Sequence, residues 1–577
     1  RGDVPDGLRE KRVVALDLGA LIAGAPLLAG LLQINCVPWC RIYIDGKQVG
    51  RIAGVRFLPL WSDTTNREGF QIGGEPGVSN NVWISDVRVS RTARIPGRPV
   101  RLRQLTGSMT VDSARVVGTV PRKFVGGLKV GGIGPMQAKS GLDVIREADT
   151  VTATPIKRGA PDKTHPSRGH SGRFAYDWQV VDRTFEWLEA RGLEAYIGAD
   201  STPQLLGGSV PPRSDTPHFG GTWASEVPND LDAWATVIGD LVHHVKQRGY
   251  VVSRWSVWNE PDLGSAFWKG TTEQYLDLYA ATARAIKAAD PKAKVGGPEI
   301  AHLDSTWIKD LFERARRDDL PLDFISFHDY SGDLNTLTRA RALVDYHARR
   351  QGFPTPFPIA ISEFNWSDRN EYGSGVAAFN TDFWHVRSFN AAYTTAAMTH
   401  AVKLGGFAHL IWSHTGGVYG PIRGGVKYAT MQLTGDRGEQ WAPFNALVGW
   451  RRTVGSKLLS TVQDLPPGVF GLSTRDPHTE KIGLVFANYG WAQRQAREVT
   501  VNLKNLADCS YRLKRYLVDQ THSSRWDVAE DRPEGSSQND LQTVEDRTMN
   551  VSRTMSFSVG LPVWSSTFIT LEPSGRC

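Results

Sequence analysis

Two carboxylates sit at the ends of runs that read as buried strands. Glu260 lies in SVWNEPD (256–262), between an asparagine and a proline, and Glu363 lies in PIAISEFN (358–365). A glutamate at the mouth of an apolar strand belongs to no amphipathic surface, so it either caps a loop or works on something that enters from the strand's end. A pair of such groups can divide acid–base work from nucleophilic attack. Other strand ends carry Arg146, His328 with Tyr330, and Trp412. Two carboxylates, donors for hydroxyls and an aromatic floor are what chemistry at the anomeric carbon of a sugar requires. Each residue also has a plainer reading: Glu260 as a loop cap, Glu363 as an ion-pair partner, His328 and Trp412 as core, Arg146 paired with Glu147 or Asp149.

The elements that must hold these residues are legible in the hydrophobic pattern. DWQVVDRTFEWLEARG (177–192) and DLDAWATVIGDLVHHVKQRG (230–249) each read as a helix closed by a glycine and followed by a strand. TEQYLDLYAATARAIKAAD (272–290) puts Tyr275, Leu278, Tyr279 and Ile286 on one face, and Pro291 ends it. Repeated alternation of strand and helix over residues 98–455 means a parallel sheet, and about eight repeats of it close into a barrel. The carboxyl ends of barrel strands meet at one mouth. That mouth then receives Arg146 from the second strand, Asn259 and Glu260 from the fourth, His328 and Tyr330 from the sixth, Glu363 from the seventh and Trp412 from the eighth.

Residues 456–577 lose the helices and alternate like half-buried strands, which reads as a β-sandwich. Residues 1–97 read as β: RIYIDGKQVG (41–50) is a hairpin turning at Asp45-Gly46, and NVWISDVRVSRTAR (81–94) alternates again. The fold class is therefore α/β, a (β/α)8 TIM barrel flanked by an N-terminal partial β jelly-roll and a C-terminal β-sandwich.

Composition narrows the partners. A net charge of +7 is small for 577 residues, and no basic block is interleaved with aromatics, so nucleic acid is not an expected partner. Four cysteines are too few for a disulfide scaffold. Cys36 and Cys40 in CVPWC lack the second ligand pair that a zinc site needs, so no structural metal is expected. The apolar segment 18–37 follows Lys11 and Arg12, but Pro26, Asn35, its glycines and the adjoining Asp17 favour buried strands over a membrane span. A secreted or otherwise extracytoplasmic protein with no integral span is the expectation, and its oligomeric state is open.

WNEPD and ISEFN in this order resemble the acid/base and nucleophile motifs of clan A glycoside hydrolases. FWKGTTEQYLDLYAATARAIKAADPKAKVGGPE (267–299) followed by DFISFHDY (323–330) is similar to glycoside hydrolase family 39, the family of β-xylosidases and α-L-iduronidases, over roughly residues 140–455. The stretch 41–95 resembles the closing half of a laminin-G-like jelly roll. The family resemblance implies a retaining double displacement with no metal or organic cofactor. Glu260 would be the acid/base, protonated at rest, and Glu363 the nucleophile. Asn259 would bind the sugar 2-hydroxyl, His328 and Tyr330 would orient Glu363 and contact the sugar, Trp412 would be the stacking floor, and Arg146 would support the nucleophile. A non-catalytic carbohydrate-binding protein on a barrel scaffold is the alternative, and the presence of both glutamates argues against it.

IKRGAPDKTHPSRGHSGR (156–173) carries five Lys and Arg residues against Asp162. Two readings stay open: a solvated loop, or a site for an anionic glycan through guanidinium–carboxylate pairs. Of two glycosylation sequons, the one at Asn365 adjoins the nucleophile, so Asn550 is the better acceptor.

Overall fold

The structure, a computed structural model, describes residues 105–121, 123–128, 142–147, 156–158, 174–208, 224–366, 387–412, 440–489, 495–524, 527 and 539–574, with four strand backbones between residues 34 and 57. The chain divides into two units, Arg1–Arg103 with Asp304–Thr306, and Gln104–Leu303 with Trp307–Cys577. In the first, Cys40–Ile44 and Lys47–Ile52 pair antiparallel with Ile44 opposite Lys47. That register is what a two-residue Asp-Gly connection sets. Residues 58–97 of the expected jelly-roll, and residues 18–33 of the apolar segment, lie outside the described residues. Among the described residues no helix is long and apolar enough to cross a membrane.

In the second unit eight parallel strands close a barrel: Val125–Leu128, Val144–Glu147, Glu194–Ala199, Val252–Val257, Val295–Ile300, Phe324–Asp329, Ile359–Phe364 and Phe407–Trp412. We number them one to eight. Strand eight returns to strand one with Leu410 opposite Val125. Their chemistry favours this: the strands are short, apolar and buried on both faces, as parallel strands under helices must be. Leu128, Val144, Tyr196, Phe324, Ala360 and Ile411, from six strands, form one interior layer. Gly296 in strand five leaves room for it, because a Cβ there would lie 2.3 Å from the carbonyl oxygen of Phe324.

The helices start and stop where side chains supply the missing partners. Asp230 caps Leu231–Gln247 by accepting from the Ala233 amide at 2.9 Å. Thr271 and Gln274 form a reciprocal capping box on Thr272–Ala289. Gly192 and Gly249, read from the sequence as helix ends, follow their helices at φ of 66° and 76°, a region that costs glycine nothing.

The last region is one nine-stranded sheet, in the order Gln542–Val551, Cys509–Val518, Ser565–Ser574, Ile482–Asn488, Val469–Arg475, Lys457–Asp464, Thr106–Thr119, Arg497–Lys504, Thr554–Leu561. Its two ends fold over each other, so Val499, Val501 and Val559 share a core with Leu484, Phe486, Leu513 and Ile569. This is the expected sandwich with one correction. Thr106–Thr119, assigned from the sequence to a barrel segment starting at 98, runs parallel to Arg497–Lys504 and antiparallel to Lys457–Asp464. Its alternation buries Met109 and Val111 in the sandwich core, so the barrel begins with Val125.

Strand period two also joins the two layers. Val485 and Phe568 point away from the sandwich core into the large cluster that contains Phe389 and Tyr393 of helix Ser388–Leu404. That helix is buried nearly all round, which is why it lacks a polar face. Burying Phe568 stabilises this contact by about 2–3 kcal/mol. Gly449 allows it, since a Cβ there would sit 2.4 Å from the Phe568 ring.

Candidate active site

The carboxyl ends of strands two, four, five, six and seven converge on a charged cluster. Arg146, at the end of strand two, donates from Nη1 to Glu363 Oε1 at 2.5 Å and from Nη2 to Asn259 Oδ1 at 2.8 Å. Tyr330 donates its hydroxyl to Glu363 Oε2 at 2.5 Å. His328 Nδ1 lies 2.8 Å from Glu260 Oε1 and 3.7 Å from Glu363 Oε2. One imidazole thus bridges the two carboxylates, and one donor atom of each of Glu260, His328 and Glu363 falls within 4.8 Å of the others. Six of the seven residues singled out in the sequence are therefore joined in one set of hydrogen bonds and ion pairs. Trp412, the seventh, ends strand eight, buried, with its ring edge-on to Phe364 at 6.1 Å.

Exposure decides which members can meet a ligand. The side chains of Glu260 and Glu363 are 14% and 12% exposed, whereas those of Arg146, His328 and Glu299 are fully enclosed. Of these five charged residues, Glu260 and Glu363 are the two that reach outward.

The backbone at this end is forced out of ordinary strand geometry. Trp258, Glu260 and Glu299 have φ of 72°, 46° and 56°, conformations that cost non-glycine residues about 1–3 kcal/mol each and need enforcement by their surroundings. That enforcement is visible. The Glu260 amide donates to the Glu299 carbonyl at 2.8 Å. The indole of Trp258 donates to the Phe267 carbonyl at 2.8 Å, and the Ala301 amide donates to Asp262 Oδ1 at 2.8 Å. The loops after strands four and five are thereby laced together, and Glu260 is aimed into the mouth. Burial pushes the Asp262 carboxyl up to about 6, against the lowering effect of that Ala301 bond.

Sequence reading passed over Glu299, quoted above only as the last letter of VGGPE. It is completely buried at the end of strand five. Tyr196 and Ser362 donate hydroxyls to it, Arg146 Nη2 lies at 3.4 Å and His328 Nε2 at 3.4 Å. Burial alone would raise its pKa, but Arg146 and His328 overcome this and hold it at about 2. Burial would likewise discharge His328, and the carboxylates of Glu363, Glu260 and Glu299 reverse that, holding its pKa near 10. The signal that could have found Glu299 was the one that flagged Glu260 and Glu363, a carboxylate at a strand's carboxyl end.

Glu260, His328 and Glu363 also have the spacing of metal ligands. Both ring nitrogens of His328 already face carboxylates, Nδ1 towards Glu260 and Nε2 towards Glu299. Asn365, the first sequon, is wholly buried and accepts from the Trp366 amide and the Asn390 side chain, whereas Asn550 is exposed. Of the basic loop, Ile156–Arg158 pairs antiparallel with Phe174–Tyr176; residues 159–173 lie outside the described residues.

Comparison with known proteins gives a family and a fold. The profile of the glycosyl hydrolases of family 39 matches residues 164–397. A β-xylosidase of Caldicellulosiruptor saccharolyticus is 32% identical over 171 residues, 29% of this chain and 34% of its own length. A β-xylosidase of Geobacillus stearothermophilus is 32% identical over 221 residues, 33% of this chain and 41% of its own. The matched stretches thus span well under half of these curated relatives. Among solved structures, a monomeric β-xylosidase from Caulobacter crescentus CB15 superposes with TM-score 0.62 at 19% identity, over 81% of this chain and 100% of that one. The family 39 enzyme from Xanthomonas axonopodis pv. citri gives 0.61 at 19%, over 81% and 97%. At such identities the structural likeness is one of fold.

Proposed function

We propose that this chain, whose residues 164–397 match the glycosyl hydrolases of family 39, cleaves a glycosidic bond by double displacement with retention of configuration. The observation that carries this is the pair Glu260 and Glu363, the two outward-reaching carboxylates of the cluster, with an oxygen of each within 4.8 Å of the other. Retaining enzymes hold their carboxyls about 5–5.5 Å apart, and inverting ones leave room for a water between them.

Glu363 attacks the anomeric carbon. Arg146 and Tyr330 grip one oxygen each, which fixes its direction of attack. Glu260 gives its proton to the leaving oxygen as the bond breaks, forming a covalent glycosyl-enzyme. It then takes a proton from the water that releases the sugar. Asn259, oriented by Arg146, keeps its amide nitrogen for the sugar 2-hydroxyl. The imidazolium of His328 stabilises the negative charge that Glu260 acquires when it has given up its proton.

The substrate class is tested with a panel of chromogenic glycosides: β-xyloside, α-L-arabinoside, β-galactoside, β-glucoside and uronides. Release by the wild type that vanishes in Glu363→Ala supports the reading, and a uronide preference would assign the basic loop to an anionic sugar. Absence of cleavage of these and of polysaccharides would favour the binding-protein alternative.

A further inference from the structure

We infer that Glu299 is a positioning residue of this site: a buried carboxylate that sets the charge and direction of Arg146 and His328, and through them governs Glu363 and Glu260. The inference rests on the reading of those two glutamates as the reacting groups and adds the residue that controls them.

The geometry leaves Glu299 no contact with a substrate. Its side chain is wholly enclosed, and its ligands come from four strands: Arg146 from two, Tyr196 from three, His328 from six and Ser362 from seven. Its own backbone carbonyl holds the amide of Glu260. Arg146 stands between Glu299 and Glu363, and His328 stands between Glu299 and Glu260. Each outward carboxylate is therefore backed by a cation, and both cations are backed by the same hidden anion.

Charge bookkeeping explains why the site needs it. With Glu260 protonated and Glu363 ionised, two buried cations face one anion unless Glu299 supplies the second. A buried uncompensated charge is costly and is relieved by moving a proton. Without Glu299 the excess positive charge is relieved when Glu260 or His328 loses its proton, and Glu260 must keep its own to act as acid. Other titratable groups also face this cluster. Tyr275 approaches Glu299 from helix Thr272–Ala289 as a phenol whose ionisation is suppressed by burial. Asp200 on the loop after strand three acts on Arg146. Asp262 and His302, on the loops after strands four and five, feel the charges of Glu260 and His328.

Glu299→Gln keeps the shape and removes the charge, and Glu299→Asp keeps the charge. In the Gln variant the alkaline limb of the kcat/KM profile is expected to move down by about one pH unit, because the cluster loses one negative charge. The Asp variant is expected to keep the limb while losing kcat. A merely structural Glu299 would lower the melting temperature of both variants and leave the limb in place, which would overturn the inference.

A second readout needs no turnover. In wild-type protein with 15N-labelled histidine, the His328 signal, assigned by its loss in His328→Gln, is expected to stay that of an imidazolium at pH 8. A neutral His328 at pH 8 would overturn the inference. Failure of the wild type to hydrolyse any glycoside would defeat the functional reading, and the imidazole titration would still decide this one.

Discussion

Each end of the barrel buries an arginine beside a histidine, and the two pairs behave in opposite ways. At the mouth, Arg146 and His328 share Glu299 and Glu363, His328 also faces Glu260, and the imidazole is held charged, its pKa near 10. At the foot, Arg254 Nη1 meets His409 Nε2 at 2.5 Å and lies over the Phe324 ring. His409 Nδ1 donates to the Lys123 carbonyl, and burial together with Arg254 pushes its pKa down to about 3. Tyr196 touches both ends, with its hydroxyl on Glu299 and its ring edge-on to His409 at 6.0 Å. The same residue types thus give a reactive site or an inert plug. Glu260, Glu299 and Glu363 at the carboxyl ends of their strands make the difference.

The comparison can be broken first at the mouth. Glu363→Gln is expected to cost about 10⁴-fold or more in kcat, the scale on which removal of a nucleophile acts, with the fold unchanged by circular dichroism. Glu260→Gln should cost about 10²–10⁴-fold, the range of general acid–base catalysis, and should abolish the alkaline limb of the pH–rate profile. Neither loss is expected from His409→Gln at the foot, whose steady-state rates per folded molecule should match the wild type. An apolar contact gives a control of another kind. Phe568→Ala should lower unfolding free energy by about 3–5 kcal/mol in a denaturant titration while leaving the pH–rate profile in place.

The finest contrast is in stability against pH. His328 has a folded pKa near 10 against an ordinary 6.5, so its contribution is full below pH 6.5 and is lost as pH rises towards 10. His409 has a folded pKa near 3, so stability is full above pH 6.5 and falls as pH drops from 6.5 towards 3. His328→Gln should therefore flatten the alkaline side of the melting-temperature profile, and His409→Gln the acid side. Equal effects of both substitutions on the same side would remove the asymmetry between the two ends.

What could be read beforehand follows from the same physics. Strand ends announce themselves because an apolar run stops at a charged or aromatic residue, as at Asn259-Glu260, His328 and Glu363. Helix ends were legible at Gly192 and Gly249 because a left-handed residue favours glycine. Glu299 was hidden, since its role depends on four partners from four strands that are distant in sequence. Membership of Thr106–Thr119 in the outer sheet was hidden too. Its alternation marks a strand, but its partners lie more than 300 residues later, and periodicity does not name partners.

The most direct test of the account is mass spectrometry of the chain after incubation with 2-deoxy-2-fluoro glycosides of the sugars it cleaves. Fluorine at carbon 2 slows hydrolysis of a glycosyl-enzyme more than its formation, so a covalent intermediate accumulates. The account expects one sugar adduct on the peptide that contains Glu363, absent from Glu363→Gln. Turnover of glycosides with inverted configuration and no adduct on that peptide would contradict it.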